Sequence, residues 1–220
     1  MFTGIVEATG YVKFCRFLPG RRSLALGIRA PKVSKSLKIG GSLSVNGVCL
    51  TVIKKLGTCF FFDVVRETLR RSTLARFKIG EKVNLERPMK LSGRLEGHVV
   101  LGHVDSVGSV MSVTKKGKEK DFLISFPAAL KSYILEKGSI AVDGVSLTLG
   151  KIMDNCFWVH GIPHTLKSTN FDSFKKDVKV NLEADVLTKL AIKQFEAKRY
   201  MASADKRSKR SKKSKRPKVD

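Results

Sequence analysis

Short runs of alternating apolar and polar residues fill most of this chain, and glycine, proline or asparagine turns separate them. Alternation with a period of two is typical of strands that bury one face. In the first part of the chain it predicts six strands rich in β-branched and aromatic residues, at Ile5–Phe17, Ser23–Ala30, Ser42–Val45, Val48–Lys54, Cys59–Val65 and Lys82–Leu85. Short helical segments are predicted at Pro31–Leu37, Glu67–Leu74, Pro127–Ile134 and His164–Asn170.

The chain contains an internal repeat. The stretch Gly41–Val52 (GSLSVNGVCLTV) returns at Gly138–Leu149 (GSIAVDGVSLTL), and a shift of 97 residues aligns Gly41–Glu86 with Gly138–Glu183 without a gap. Because a closed antiparallel sheet has no exposed edges, we expect an all-β fold of two similar six-stranded Greek-key β-barrels. The repeat sets the two domains at 1–97 and 98–194.

Each copy of the repeat predicts a strand, an Asn-Gly or Asp-Gly corner, and a second strand. On that second strand, Cys49 and Thr51 share one face in the first copy, and Ser146 and Thr148 share one face in the second. We call these pairs the first ledge and the second ledge. Two similar polar surfaces predict two similar binding sites, each suited to a flat heterocycle.

The alternation of strands ends after Glu183. Residues 185–203 predict a C-terminal helix with Asp185 as a candidate N-cap. Its apolar stripe could pack on another subunit or across the chain's own two domains, and the sequence leaves both open. The stripe consists of Leu187, Leu190, Ala191 and Phe195.

Much of the net charge of +24 lies beyond this helix, where Lys and Arg dominate from Lys206 to Lys218. Such a run cannot bury apolar surface, so we expect a disordered basic tail at 204–220. The tail could bind nucleic acid or another polyanion, or be a solvated extension. The chain shows no membrane-spanning apolar run and no signal peptide, and its four cysteines lack metal-type spacing. We therefore expect a cytoplasmic protein with free thiols and no membrane association.

Several polar residues are candidates for chemistry. His98 and His103 do not match a zinc motif, and we expect no metal site. His103 is either a ligand contact or an ordinary strand histidine. Cys49 is better explained as a binding residue than as a nucleophile, because its counterpart is Ser146. Asp143 is the first residue of the Asp-Gly corner, and it is either a candidate for the chemistry or an ordinary turn residue.

The positions that differ between the copies carry the other candidates. His160 and His164 stand where the first copy has Asp63 and Glu67. Lys137 stands where the first copy has a glycine, and it is either a ligand contact or a solvated lysine. The two ledges are therefore expected to share a backbone and to differ in polar chemistry.

These motifs resemble the riboflavin synthase family over about residues 1–200. The resemblance rests on the opening MFTGIVE, the paired VNGVCLTV and VDGVSLTL, the linker GRLEGHVVLGHVD, and the final IPHTL. It implies an enzyme that dismutates two molecules of 6,7-dimethyl-8-ribityllumazine by transferring a four-carbon unit. The products are riboflavin and 5-amino-6-(D-ribitylamino)uracil, in the last step of riboflavin biosynthesis.

The resemblance also implies no metal and no organic cofactor. It implies a homotrimer joined through the C-terminal helix, an active site between the first barrel of one chain and the second barrel of a neighbour, and association with lumazine synthase. A non-catalytic lumazine- or flavin-binding protein of the same fold is the alternative. Where this chain has His164, the family usually has an acidic residue.

By motif position, each lumazine is assigned a set of contacts. The first would lie against Gly4, Ile5, Val6, Cys49, Leu50, Thr51, Asp63, Val64, Val65, Arg66, Glu67, Thr68, Gly102, His103 and Val104. The second would lie against Ser146, Leu147, Thr148, His160, Gly161, Ile162, Pro163, His164, Thr165 and, from a neighbouring chain, Lys137. The residues expected near the reacting carbons are His103, Cys49 and Ser146, supported by Ser42, Thr148 and Asp143.

Overall fold

The computed structural model describes residues 1–18, 20 and 23–214, with side chains as far as Met201. Residues Met1–Asp185 form one compact unit that contains both barrels, and the C-terminal helix belongs to a second unit. The all-β prediction with two tandem repeats is confirmed, because each half of the first unit is one antiparallel sheet with the same strand order.

The first barrel has seven strands. They are β1 (Ala8–Leu18), β2 (Ser23–Arg29), β3 (Ser42–Val45), β4 (Val48–Thr51), β5 (Lys54–Leu56), β6 (Cys59–Val64) and β7 (Lys82–Glu86). Their order across the sheet is β4-β3-β7-β1-β2-β6-β5. Helix α1 (Arg66–Arg71) follows β6, and single 3₁₀ turns lie at Pro31–Val33 and Leu74–Arg76.

The predicted strand Val48–Lys54 is two strands, so each barrel has seven strands and not six. The N–H of Val52 donates to the carbonyl of Gly41, whereas the next N–H, of Ile53, donates to the carbonyl of Phe61. The chain thus leaves the β3 side of the sheet and joins the β6 side within two residues. Because β4 and β5 stand at opposite ends of the strand order, this step closes the sheet on itself.

The second barrel repeats this plan. Its strands are β8 (Ser106–Lys116), β9 (Glu119–Ser125), β10 (Ser139–Val142), β11 (Val145–Thr148), β12 (Ile152–Met153), β13 (Cys156–Gly161) and β14 (Lys179–Ala184). The order is β11-β10-β14-β8-β9-β13-β12. Helix α2 (Pro163–Ser168) follows β13, and 3₁₀ segments lie at Ala128–Tyr133 and Phe171–Ser173. The four predicted helical segments are therefore present, although each is shorter than predicted or divided.

Inward-facing apolar residues fill each barrel. In the first barrel, Leu43, Leu50 and Phe62 point inward and are at most 5 % exposed. In the second barrel, Phe122 and Phe157 are fully buried in the corresponding core. The two-residue period that predicted the strands is the period of this inward and outward alternation.

Buried polar groups hold the two barrels together around a pseudo-two-fold axis. Asn84 Nδ2 donates to the carbonyl of Asp143 at 3.0 Å, and its repeat counterpart Asn181 Nδ2 donates to the carbonyl of Asn46 at 2.7 Å. A second matched pair joins the Thr73 N–H to Asn181 Oδ1 and the Asn170 N–H to Asn84 Oδ1. The repeated asparagine of the K-V-N-L-E motif is therefore an inter-barrel residue.

Helix α3 (Val186–Ser214) forms the second unit. It extends past the predicted end at 203, in keeping with the helix propensity of its Ala, Lys and Arg residues. Residues 215–220 of the predicted tail lie outside the described residues. Among the helices that the structure describes, none is both long enough and apolar enough to cross a membrane.

Candidate functional site

Both ledges lie on the outer faces of the barrels. In the first barrel, β3 and β4 pair Ser44 with Cys49 and Ser42 with Thr51, and these four residues share the outer face. In the second, β10 and β11 pair the residues in the same register, which places Ser146 and Thr148 outward. The predicted alternation along each ledge is confirmed. Leu50, Val64 and Leu147 face or pack against the cores, so mainly their backbone is available to a ligand.

The two corners before the ledges are left-handed turns. Asn46 and Asp143 have φ values of 46° and 45°, and the glycines that follow them have φ values of 77° and 76°. Positive φ at both central residues defines the type I′ turn that Asn-Gly and Asp-Gly favour. The two corner glycines also face each other, since a Cβ on Gly47 would lie 2.7 Å from the backbone nitrogen of Gly144.

A short segment from the start of each repeat lies against the ledge of the other barrel. We call Met1–Val6 the first crossing segment and Leu101–Val104 the second. Cys49 N–H donates to the carbonyl of Gly102 at 2.9 Å, and Ser146 N–H donates to the carbonyl of Gly4 at 2.8 Å. Each crossing segment therefore leads into one barrel and lies against the ledge of the other.

This arrangement corrects the grouping of Gly4, Ile5 and Val6 with the first ledge. Gly4 is bonded to Ser146, and Val6 packs against the core of the second barrel. Conversely, Val104 is part of the first core. Only Gly4–Val6 therefore moves, from the first predicted contact set to the second, whereas Gly102–Val104 remains grouped with the first ledge.

The crossing glycines have no room for a side chain. Gly4 and Gly102 have φ values of 76° and 80°. A Cβ on Gly102 would lie 2.6 Å from Cys49 Cβ, and a Cβ on Gly4 would lie 2.6 Å from Ser146 Cβ. Both the backbone conformation and the close approach require glycine.

One buried carboxylate fixes each crossing segment, and the sequence reading did not identify either as a site residue. Glu86 accepts from the N–H of Thr3 at 2.6 Å, from its hydroxyl at 2.8 Å and from the N–H of Gly4 at 3.0 Å. Glu183 accepts from the N–H groups of Leu101 and Gly102 at 2.7 and 3.0 Å. Burial raises the pKa of Glu86, although these hydrogen bonds oppose the rise. The final Glu of the repeated K-V-N-L-E was the available signal.

A cavity of 310 Å³ opens beside the first ledge. It brings together Cys49, Glu67, Thr68 and His103, as the motif positions predicted. Arg71 and Ser72 also line it. Glu67 accepts from Arg71 at 2.6 Å and lies 2.7 Å from Arg70, and these two cations lower its pKa.

A larger cavity of 520 Å³ lies beside the first crossing segment. Ser42, which was expected to support the reaction beside Cys49, lines this cavity together with Ile5. Its remaining lining comes mainly from the inter-barrel linker and includes Arg87, Lys90 and Arg94. We place the candidate site at the ledges, because repeat-equivalent residues converge there and do not converge in the larger cavity.

The second ledge contains a histidine that sequence reasoning considered only as a metal ligand. His98 is 8 % exposed, and its Nδ1 lies 2.7 Å from Ser146 Oγ. Burial lowers the pKa of His98, with a weaker opposing effect from Asp185. His98 Nε2 is buried and makes no hydrogen bond to any residue that the structure describes. A neutral imidazole therefore contacts the hydroxyl of the second ledge, where the first ledge has the Cys49 thiol.

The remaining predicted residues occupy distinct environments. His160 lies at the end of β13 and is exposed, and Ile162–Thr165 lead into α2 beside it. Asp63 occupies the equivalent position at the end of β6, and Val65 and Arg66 lead into α1. Lys137 is exposed with φ 66°, a conformation that its counterpart Gly40 adopts more easily at φ 81°.

Asp143 lies between the barrels and not in either described cavity. Its Oδ1 accepts from the N–H of Asn181 at 2.8 Å, and its Oδ2 accepts from Asn170 Nδ2 at 2.9 Å. Burial raises the pKa of Asp143 to about 7. These contacts support the turn role over a direct place in the chemistry. Within the described residues, no group of three or more His, Cys, Asp or Glu side chains is arranged to hold a metal ion.

Comparison with known proteins agrees with the duplicated architecture. The lumazine binding domain family matches residues 3–88 and again residues 101–185. The riboflavin synthase of Actinobacillus pleuropneumoniae is 41 % identical, covering 90 % of this chain and 91 % of the relative. The riboflavin synthase of Mycobacterium tuberculosis is 43 % identical, covering 86 % of this chain and 95 % of the relative.

Solved structures of LumP have the same fold. LumP complexed with riboflavin superposes with a TM-score of 0.78 at 28 % identity, covering 84 % of this chain and 99 % of LumP. LumP complexed with 6,7-dimethyl-8-(1'-D-ribityl) lumazine superposes with a TM-score of 0.76 at 26 % identity over the same shares of each chain. With two matched lumazine binding domains and curated relatives similar over most of its length, the chain belongs to the riboflavin synthase family.

Proposed function

We propose that this protein catalyses the dismutation of two molecules of 6,7-dimethyl-8-ribityllumazine to riboflavin and 5-amino-6-(D-ribitylamino)uracil. The observation that carries the proposal is the repetition of one site frame with different polar groups. Each ledge is covered by a glycine of a crossing segment, but one ledge has a thiol and the other a hydroxyl bonded to a buried imidazole. A reaction in which identical molecules act as donor and acceptor needs this combination of likeness and difference.

The reaction depends chiefly on orientation and proton transfer. Holding two rings together replaces a bimolecular encounter with an oriented one, which can contribute several kcal/mol to lowering the barrier, on the order of 7–11 in favourable cases. The C7 methyl of a lumazine is acidic because the ring delocalises the resulting anion. A hydroxyl such as Ser146, polarised by neutral His98, can donate to or accept from the ring at neutral pH. His103 and Cys49 are the corresponding groups at the first ledge.

The alternative is a lumazine- or flavin-binding protein without catalytic activity, and the similarity to ligand-bound LumP favours it. The two functions differ in what happens after binding. The purified full-length chain should be incubated with 6,7-dimethyl-8-ribityllumazine, and riboflavin formation followed by its fluorescence. Turnover supports the enzyme. Binding of lumazine without riboflavin formation would contradict the enzyme and support the binding protein.

We also propose that the active form is a homotrimer in the cytoplasm. Exposed apolar side chains on α3, such as Leu190 and Phe195 at 58 % and 74 %, support an intermolecular contact. The four cysteines, all described and all free, support a reducing compartment. In this assembly the first ledge of one chain would face the second ledge of a neighbour, and Lys137 would reach the second lumazine from a neighbouring chain. Sedimentation equilibrium of the full chain and of Phe195→Glu tests the assembly, and a monomeric wild type would contradict it.

Association with lumazine synthase would follow from the shared intermediate. Co-sedimentation of the two purified proteins tests this part of the proposal. Recovery of each protein in its own fraction would contradict it.

A further inference from the structure

The outer face of the second barrel holds one histidine in a fixed arrangement. His160 on β13 pairs directly across from Asp121 on β9. His160 Nδ1 lies 2.6 Å from Asp121 Oδ1, and Lys116 Nζ lies 2.6 Å from Asp121 Oδ2. Asp121 is only 6 % exposed although it points outward, because these two side chains cover it. Both of its oxygens are therefore engaged.

A glycine leaves space for the imidazole. Gly150 follows the second ledge, and its N–H donates to the carbonyl of Trp158 at 2.8 Å. A Cβ at Gly150 would lie 3.1 Å from His160 Nε2 and 3.0 Å from that carbonyl oxygen. Because these contacts are tighter than ordinary van der Waals contact, a side chain at this position would force the ring or the carbonyl to shift by a few tenths of an ångström. The ring of His160 thus lies between Asp121 and Gly150, next to the second ledge.

The first barrel has no equivalent of His160, Asp121 or Gly150. Asp63 stands at the position of His160, and its cross-strand neighbour is Ala25, which occupies the place of Asp121. Ile53 stands at the position of Gly150 in the 97-residue repeat. Three differences between the copies therefore coincide around one imidazole. This coincidence separates a built arrangement from an incidental surface ion pair.

The hydrogen-bond partners determine the tautomer. An ionised carboxylate can only accept, so the proton of a neutral His160 ring resides on Nδ1 and the lone pair on Nε2. Lys116 and His160 both lower the pKa of Asp121, with Lys116 contributing more, which keeps the carboxylate ionised. His160 is exposed through the rest of its ring, with 59 % of its side chain accessible. Its Nε2 lies beside Gly150, two residues after the outward-facing Thr148 of the second ledge.

We propose that Asp121, Lys116 and Gly150 are positioning residues that hold His160 with Nε2 as a hydrogen-bond acceptor for a hydroxyl of the ligand's ribityl chain. The ligand class rests on the proposed function. The first site offers a carboxylate at the equivalent position, so the two sites would grip the same polyol with different acceptors. This difference gives each site its own affinity for substrate and product, although the ring-binding ledges are alike.

The test combines a spectroscopic readout of the ring with steady-state kinetics. Full-length protein with ¹⁵N-labelled histidine is compared as wild type, Asp121→Asn, Asp121→Leu and Gly150→Ala, and His160→Gln assigns the signals. Asp121→Asn retains an acceptor for Nδ1–H and should keep the wild-type tautomer. Asp121→Leu should move the proton to Nε2, and Gly150→Ala should displace the ring. In both, the KM for lumazine should rise about tenfold with little change in kcat, since one positioned hydrogen bond is lost.

Ile53→Gly is the matched control, because it opens the equivalent space in the first barrel where no imidazole is held. It should leave the His160 signals and the KM unchanged. An unchanged tautomer in Asp121→Leu, or a changed tautomer with an unchanged KM, would overturn the proposal. If Asp121→Leu does not fold, Gly150→Ala decides the question: displaced His160 signals with an unchanged KM would overturn the proposal.

Failure of the proposed function gives a different result. In that case no variant, including the wild type, forms riboflavin, and lumazine affinity measured by its fluorescence replaces KM. A lumazine affinity that changes among the variants together with the His160 tautomer would then still support the role of Asp121, Lys116 and Gly150 in positioning His160. An affinity independent of the tautomer would overturn it.

Discussion

The two barrels have nearly the same backbone and different polar chemistry. Strand order, left-handed corners, crossing glycines and clamping glutamates recur in both halves. Where the first barrel has Cys49 and Asp63, the second has Ser146 bonded to His98 and His160 bonded to Asp121. The features that the copies share build a place for a ring, and the features that they do not share distinguish one ring from the other. Breaking a shared feature should therefore damage more than exchanging an unshared one.

The largest effect is expected from Gly102→Ala, which places a Cβ 2.6 Å from Cys49 Cβ. Left-handed backbone strain and overpacking together should lower the free energy of unfolding by about 3–5 kcal/mol. Denaturant unfolding measures the loss. The matched control is Gly57→Ala, which has φ 57° and open space around its Cβ, and which should lose only about 1–2 kcal/mol. Equal losses in the two variants would contradict the close contact between crossing segment and ledge.

The next largest effect is expected from substituting Asp143, the buried carboxylate that is present only in the second corner. Because the folded pKa of Asp143 is raised from 3.8 to about 7, its burial is harmless below pH 4. The resulting penalty grows as pH rises from about 4 to about 7 and is constant at higher pH. Asp143→Asn should therefore increase stability above pH 7, by up to the order of 3–4 kcal/mol, and have little effect near pH 4.

Urea unfolding at pH 5, 6, 7 and 8 measures this dependence. The reverse exchange, Asn46→Asp, should introduce a similar loss of stability at high pH into the first corner. A pH-independent difference between wild type and Asp143→Asn would show that the carboxylate is not the titrating group.

The ledges themselves should differ in their sensitivity to truncation. Ser146→Ala removes the group that contacts His98 Nδ1, leaving a buried imidazole without its partner, and should reduce kcat about 100-fold. Cys49→Ala should reduce kcat less, about tenfold, because His103, which lines the same cavity, is exposed. Single-turnover riboflavin formation measures both, with thermal unfolding as a control for folding. A greater loss in Cys49→Ala would reverse this assignment of roles.

The smallest effect is expected from Glu67→His, which copies His164 into the first barrel. The pairs of Glu67 with Arg70 and Arg71 are solvent-exposed, so their removal should hardly change the thermal midpoint. Lumazine affinity at the first ledge should change more than stability does. A marked loss of stability, especially one that salt abolishes, would show that the pairs hold α1 in place.

The repeat, the corners and the ledges could be predicted from the sequence because these features depend on local pattern. Cys49 and His103 were predicted together, and one cavity contains both. The sequence did not predict the contact between Gly4 and Ser146, because a contact between residues so distant in sequence leaves no local pattern. The sequence also predicted one strand too few in each barrel, because nothing in Val48–Lys54 marks the residue at which the chain changes from one strand partner to another.

Buried polar residues were the other gap. Glu86 and Glu183 were recognised as repeat anchors, but their role depends on N–H groups that arrive from the crossing segments. His98 was weighed only as a zinc ligand, although its partner is the hydroxyl of the second ledge. In each case the missing information was which distant group faces the side chain, and a linear pattern does not contain it.

The crossing segments limit how the coding sequence of such a protein can be divided and recombined. Each ledge is completed by a glycine that belongs to the other repeat, so neither repeat alone contains a complete site. A fusion that joined one copy to an unrelated domain would retain its barrel core but lose the cover of its ledge. The pair of copies is therefore the smallest unit that can be moved between genes with its binding surface intact.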